Sequence, residues 1–173
     1  DRKDTALSYL QRGLAISEKL HGKESADGAS TLFEIAKVYG GAHGQGDVRQ
    51  SREYLERAIA AFEKSKGLEY PDLVDPLFHL SQAQRKLGDV KQSIDAALRG
   101  YAIQKTTQPE NQLRLGYYGN FVGMAYDDAG DFKTARDWYQ QSLSLREAVP
   151  TSGDAVALSI LNNLALLNMK SGD

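Results

Sequence analysis

The chain has 173 residues, 41% hydrophobic and 25% charged, which is enough apolar material for a continuous core. Its 21 Lys and Arg against 23 Asp and Glu leave a formal charge of −2, without the basic excess of a dedicated nucleic-acid binder. No apolar run approaches the roughly 18–20 residues of a membrane span, no signal-peptide pattern opens the chain, and there is no Cys for disulfides or thiolate chemistry. No nucleic-acid partner, no membrane partner and a cytoplasmic location are the expectations.

The sixteen glycines carry the main clue. Gly-Asp recurs at Gly46-Asp47, Gly88-Asp89, Gly130-Asp131 and Gly172-Asp173, 42 residues apart each time. A fixed period of about 20–50 residues marks a solenoid, in which each unit buries its apolar face only against its neighbours. The dipeptide has a mechanism: Gly closes one helix in the left-handed conformation and Asp caps the next. We call the helix before each Gly-Asp the leading helix and the one after it the trailing helix.

In chain order, a trailing helix over about 4–22 opens the chain as a half-repeat, 1–27. Three complete two-helix repeats are predicted over about 28–67, 72–108 and 112–149. A leading helix over 154–170 starts a further half-repeat, 154–173. Apolar residues within these stretches recur every three or four positions, the helical period. The segment Gly40-Gly41-Ala42-His43-Gly44-Gln45 makes the first repeat's loop three residues longer than its counterparts. It reads as a tolerated mobile turn, since the Lys-Ser/Thr of a nucleotide loop is missing and no strand precedes it.

Certain positions are always small. In the leading helices they are Ala36, Ser81, Gly123 and Ala165. In the trailing helices they are Ala6, Ser51, Ser93 and Ala135, then Gly13, Ala58, Gly100 and Ser142 seven residues on. Small side chains let antiparallel helices approach closely. Gly13 and Gly100 each cost about 1 kcal/mol of helix propensity relative to Ala, which close packing is expected to offset.

These motifs resemble the tetratricopeptide repeat over nearly the whole chain. Its leading-helix motif appears as Val122-Gly123-x-x-Tyr126 and its trailing-helix motif as Ser51-x-x-Tyr54-x-x-x-Ala58. The 42-residue period, Leu161-Asn162-Asn163-Leu164-Ala165-Leu166-Leu167 and Tyr70-Pro71-Asp72-Leu73-Val74 are similar to the long subclass of kinesin light chains and bacterial relatives. Tyr70 departs from the His of that family's His-Pro-Asp. The resemblance implies an all-α, right-handed α-α superhelix, here one array over 1–173 excerpted from a longer one. It implies a non-catalytic scaffold that binds a protein or peptide; the alternative is a sensory or regulatory segment controlling an output domain in a larger signalling protein.

In such an array the leading helices line the concave surface. Counting from each small position places Phe33, Glu34 and Lys37 there, then Phe78, His79, Gln82, Arg85 and Lys86. The third layer has Asn120, Phe121, Met124, Asp127 and Asp128, and the fourth Asn162, Asn163, Leu166, Met169 and Lys170. From these, Phe33, Lys37, Phe78, His79, Gln82, Arg85, Asn120, Met124, Asn162, Asn163 and Leu166 are the candidate partner-binding residues. Aromatic, amide and Met side chains together suit an extended or helical peptide. Asn163 resembles the family asparagine that holds a peptide backbone, but either it or Asn162 can equally tie neighbouring repeats together. Arg85-Lys86 and Asp127-Asp128 occupy one repeat position and are expected to pair across the junction.

No catalytic site, cofactor or metal is expected. The three histidines, His21, His43 and His79, lack metal-ligand spacing, and no acylating Ser motif or dinucleotide fingerprint appears. The last helix is rich in Ala, Leu, Ile and Val without the polar face of a capping repeat. Self-association through the terminal helices is therefore an expectation.

Overall fold

A computed structural model describes residues 2–23, 25–41, 46–149 and 153–171. Among them stand eight α-helices: α1 Arg2–His21, α2 Ala26–Gly40, α3 Val48–Lys66, α4 Val74–Leu87, α5 Val90–Thr107, α6 Gln112–Asp128, α7 Phe132–Glu147 and α8 Ala155–Ser171. A 3-10 turn, Pro71–Leu73, leads into α4. Helices α2, α4, α6 and α8 are the predicted leading helices, and α1, α3, α5 and α7 the trailing ones. His43 and the Ala42–Gln45 part of the long loop lie outside the described residues, as does Gly172-Asp173.

The Gly-Asp pairs do not all work alike. Gly88 and Gly130 take φ of 83° and 77° and close α4 and α6 as expected. Gly46 does not: Gly41, at φ 66°, closes α2 instead, because the longer loop moves the helix end upstream of the Gly-Asp pair. Gly46 is needed for space, since an added Cβ would collide with the Tyr39 carbonyl oxygen and lie 2.6 Å from the Gly40 carbonyl carbon. Asp47 and Asp131 accept from the backbone N–H of Gln50 and Thr134, whereas Asp89 makes no side-chain cap.

The chain divides into two compact units, Asp1–Gly88 and Asp89–Asp173, with the boundary between the two helices of the second expected repeat. In the first unit α2 packs on α1 and α3, and α3 on α4, around Leu14, Leu32, Ile35 and Ala58. In the second, α6 packs on α5 and α7, and α7 on α8; Ala135, Tyr139, Ile160 and Leu167 form a core there.

The small positions set the hairpin seams. In the first unit Ser51 Oγ donates to the Ala36 carbonyl at 2.9 Å, joining α3 to α2. In the second, a Cβ at Gly116, Gly119 or Gly123 would press on Arg146, Ser142 or Tyr139 respectively. Numbers rise on α6 as they fall on α7, so the two helices are antiparallel. Contacts at 2.6–2.8 Å at Gly116 and Gly123 show that Gly alone fits without displacing α7.

Two small positions depart from the expectation. Gly13 and Ala165 are exposed, and nothing lies within 4 Å of a Cβ built on Gly13. Helix α1 turns Leu7, Leu10 and Leu14 toward α2, and α8 buries Ile160 and Leu167, so these two positions sit on other sides of their helices. Close packing therefore offsets nothing at Gly13.

Candidate protein-interaction face

The candidate residues fall on leading helices, and within each unit two leading helices run side by side. In the second unit Asn163 Nδ2 donates to Asn120 Oδ1 at 3.0 Å, and Lys170 Nζ donates to Asp127 at 2.8–2.9 Å. Both pairs are separated by 43 residues, so α6 and α8 lie parallel with one constant register. In the first unit the Phe33 ring meets the His79 ring edge-on, centroids 5.3 Å apart. That pair holds the same repeat positions as Asn120 and Asn163 once the three-residue insertion is allowed for. The positions three before one small residue and two before the next thus form the seam between successive leading helices.

This seam divides the predicted set. Asn120 is only 5% exposed and gives its amide N–H to Met124 Sδ at 4.0 Å while accepting from Asn163. The bond from Asn163 joins neighbouring repeats and uses one of its two amide hydrogens. Phe78, at 2% exposure, is core and faces no groove: large aromatic area is most stabilised where water is excluded.

The remaining candidates reach solvent. On α2, Lys37 is exposed, pairs with Glu34 at 2.6 Å and holds its Nζ 5.0 Å from the Phe33 ring centroid. Gln82 and Arg85 on α4 are half-buried. His79 is exposed as a residue, but the groups crowding its ring withdraw water and hold its pKa below the usual imidazole value. Asp75 and Glu34 pull that pKa up, Lys37 and Lys86 push it down, and desolvation prevails. In the second unit Met124 is half-buried and Asn162 exposed, while Leu166 is 55% and Met169 81% exposed.

One residue escaped the count from the small position. Tyr117 lies one turn before the predicted set, 40% exposed, with its ring 5.0 Å from that of Phe121. The sequence signal was the spacing Tyr117, Phe121, Met124, a single helical stripe. Together these residues give α6 and α8 an apolar strip with amides down its middle and the Asp127–Lys170 ion pair at one end.

Among the described residues no group of three His, Asp or Glu could hold a metal ion, and no helix is long and apolar enough to cross a membrane.

Antiparallel hairpins with small residues on the seam, stacked so that leading helices lie parallel, define the tetratricopeptide-repeat architecture. Residues 119–149 match the family model of the tetratricopeptide repeat. No curated protein sequence matches the chain. Among solved structures, it is similar to the nearly identical TPR-like repeats of a Podosopora anserina protein assigned as a kinesin light chain. That match has 21% identity and a TM-score of 0.79, covering 98% of this chain and 79% of that one. BtubC (BKLC) from P. vanneervenii matches at 19% identity and TM-score 0.75, over 89% of this chain and 62% of that one. The apo form of RapI matches at 16% and 0.77, over 99% of this chain and 45% of that one. The protein has the all-α tetratricopeptide-repeat solenoid fold, with kinesin light chain-like structures among its neighbours. Folds of this class typically serve as protein-interaction scaffolds.

Proposed function

We propose that the protein is a non-catalytic binding module whose second unit takes a peptide segment along the inner side of α6 and α8. The observation that carries this is the exposure of Tyr117, Leu166 and Met169, at 40%, 55% and 81%, with half-buried Phe121 and Met124 on the same stripe of α6 as Tyr117. Exposed large apolar side chains are ordinary singly, but a contiguous strip on two parallel helices marks an interaction surface. Asn162 and the outer part of Asn163 can hydrogen-bond a peptide backbone beside it. The ligand favoured by this chemistry presents apolar side chains on one side rather than a run of acidic ones. On the first unit, Lys37, His79, Gln82 and Arg85 form the corresponding polar surface.

Display of a random peptide library against the 173-residue chain tests this. Apolar peptides are expected to be enriched, and Leu166→Asp with Met169→Asp to weaken the selected peptide at least tenfold. No enrichment, or a selected peptide that binds the variant unchanged, would overturn the reading.

A further inference from the structure

One pair of positions recurs where a trailing helix gives way to the next leading helix. It joins the residue four after the second small position of the trailing helix to the residue eight further on. In the first unit these are Ser17 with Ser25 and Phe62 with Tyr70; in the second, Arg146 with Asp154. All three pairs are in contact: hydroxyls 3.5 Å apart, rings with centroids 5.7 Å apart, and an ion pair. Gln104 holds the first of these positions in α5 and donates instead to Gln108 Oε1, four residues on, at 3.2 Å. The position is shared, but the strength and direction of the bond are not.

Arg146 with Asp154 is the charged pair, and it ties three helices. Arg146 Nε donates to Asp154 Oδ2 at 2.7 Å and Nη2 donates to Oδ1, a two-point fork that fixes angle as well as distance. Nη1 donates to the Leu113 carbonyl, in the first turn of α6, at 2.8 Å. The stem of Arg146 lies over Gly116, where an added Cβ would stand 2.8 Å from its Cγ and Cδ. Asp154 also accepts from the N–H groups of Val156 and Ala157, so the same carboxylate caps α8. The two side chains are 13% and 11% exposed, so water screens the pair little.

Three polar ties therefore join α6 to α8, at Leu113, Asn120 and Asp127, each about 10 Å along α6 from the next. The Asn163 and Lys170 ties hold the second half of α8, and the Lys170 side chain is 51% exposed, so its bond contributes little. The first half of α8 is held by the burial of Ile160, which is non-directional, and by the Arg146 fork, which is not. That fork engages α6 one turn from Tyr117, where the inner strip begins.

We propose that Arg146 and Asp154 are positioning residues of the inner strip: they set the direction in which α8 follows α7, and so the separation of α6 and α8 at the Tyr117 end. Neither residue belongs to the strip. The role rests on the peptide-binding reading above, since the strip is what the pair positions.

The chain has no Cys, so spin labels can be placed at Gln140→Cys on α7 and Ser159→Cys on α8, both exposed and neither a strip residue. Asp154→Ser removes the carboxylate from Arg146 but keeps a capping oxygen, as Ser25 caps Gly28 N–H at the same place before α2. Arg146→Lys keeps the charge and loses the fork. Both variants should retain their helical content by circular dichroism and at least double the width of the label-to-label distance distribution. A peptide selected by display should bind each variant at least fivefold more weakly. An unchanged distribution in both variants overturns the proposal, whatever the display returns. Unchanged peptide binding alongside a broadened distribution overturns the positioning role. Display that selects no peptide sinks the binding reading instead, and the distance measurement still decides whether the fork directs α8.

Discussion

The two units place different chemistry at equivalent repeat positions. Between leading helices, the first unit sets Phe33 edge-on to His79 with Lys37 and Glu34 beside them, while the second joins Asn120 to Asn163 by a hydrogen bond. Within hairpins, the first unit closes on Ala36 and Ser51, and the second on three glycines against Ser142, Tyr139 and Arg146. The hairpin admits little variation, because helix separation fixes the volume available. The inter-repeat seam admits much more: an aromatic pair and an amide pair both span it. Side-chain identity is thus free to vary on the very helices that present the candidate binding surface.

The largest expected effect breaks the amide seam. Asn163→Ala leaves the buried Asn120 carbonyl oxygen without its partner, a loss of about 1–3 kcal/mol. Replacing Asn120 and Asn163 together by Leu should recover most of it, because both polar groups then leave the seam. Chemical denaturation of the two variants checks this, and equal destabilisation would mean the bond does not hold the seam.

Next comes the glycine seam. Gly123→Ala gains about 1 kcal/mol of helix propensity but sets a methyl group 2.6 Å from the buried Tyr139 ring, an overpacking cost of about 1–3 kcal/mol. The ring is 1% exposed and packed among buried neighbours, so a net loss is expected in thermal unfolding. Gly13→Ala should have the opposite sign, a gain of about 0.5–1 kcal/mol, because the same methyl meets nothing within 4 Å. Equal signs at the two glycines would mean that packing is not what distinguishes them.

That contrast also marks what the sequence could tell. The period, the helix positions and the tight hairpins were legible because each depends on residue size and spacing within 42 residues. Gly13 misled because the period predicts a small residue, whereas burial depends on whether a helix covers it. Phe78 misled similarly: counting from Ser81 gives its direction around the helix but not the depth of its surroundings. Asn163 stayed open because an amide bonds a ligand and a neighbouring repeat by the same chemistry, and its 3.0 Å contact to Asn120 accounts for one of its two amide hydrogens. Tyr117 was hidden by a rule that began one turn too late.

The smallest expected effect concerns pH and separates the units by window. Desolvation depresses the pKa of His79 in the folded state, so its neutral form stabilises the fold above the unfolded imidazole pKa, and that contribution is lost as pH falls through the folded value. In the second unit the Asn120–Asn163 seam has nothing to titrate. Acid sensitivity there sits at Asp131, held low by its hydrogen bonds with Thr134, and at Asp154, whose carboxylate takes two hydrogen bonds from Arg146 and two from backbone N–H groups at the start of α8. The Arg146 bonds are the main cause of the lowered pKa of Asp154, so its contribution is present above the ordinary carboxylate pKa and lost only as pH falls below that range. Stability measured from pH 7 downward should therefore decline first through His79 and later through Asp131 and Asp154. His79→Gln should flatten the first decline and Asp154→Asn part of the second. If His79→Gln leaves the slope between about pH 7 and 5 unchanged, where an unperturbed imidazole begins to titrate, the first unit's seam is no more acid-sensitive than the amide seam.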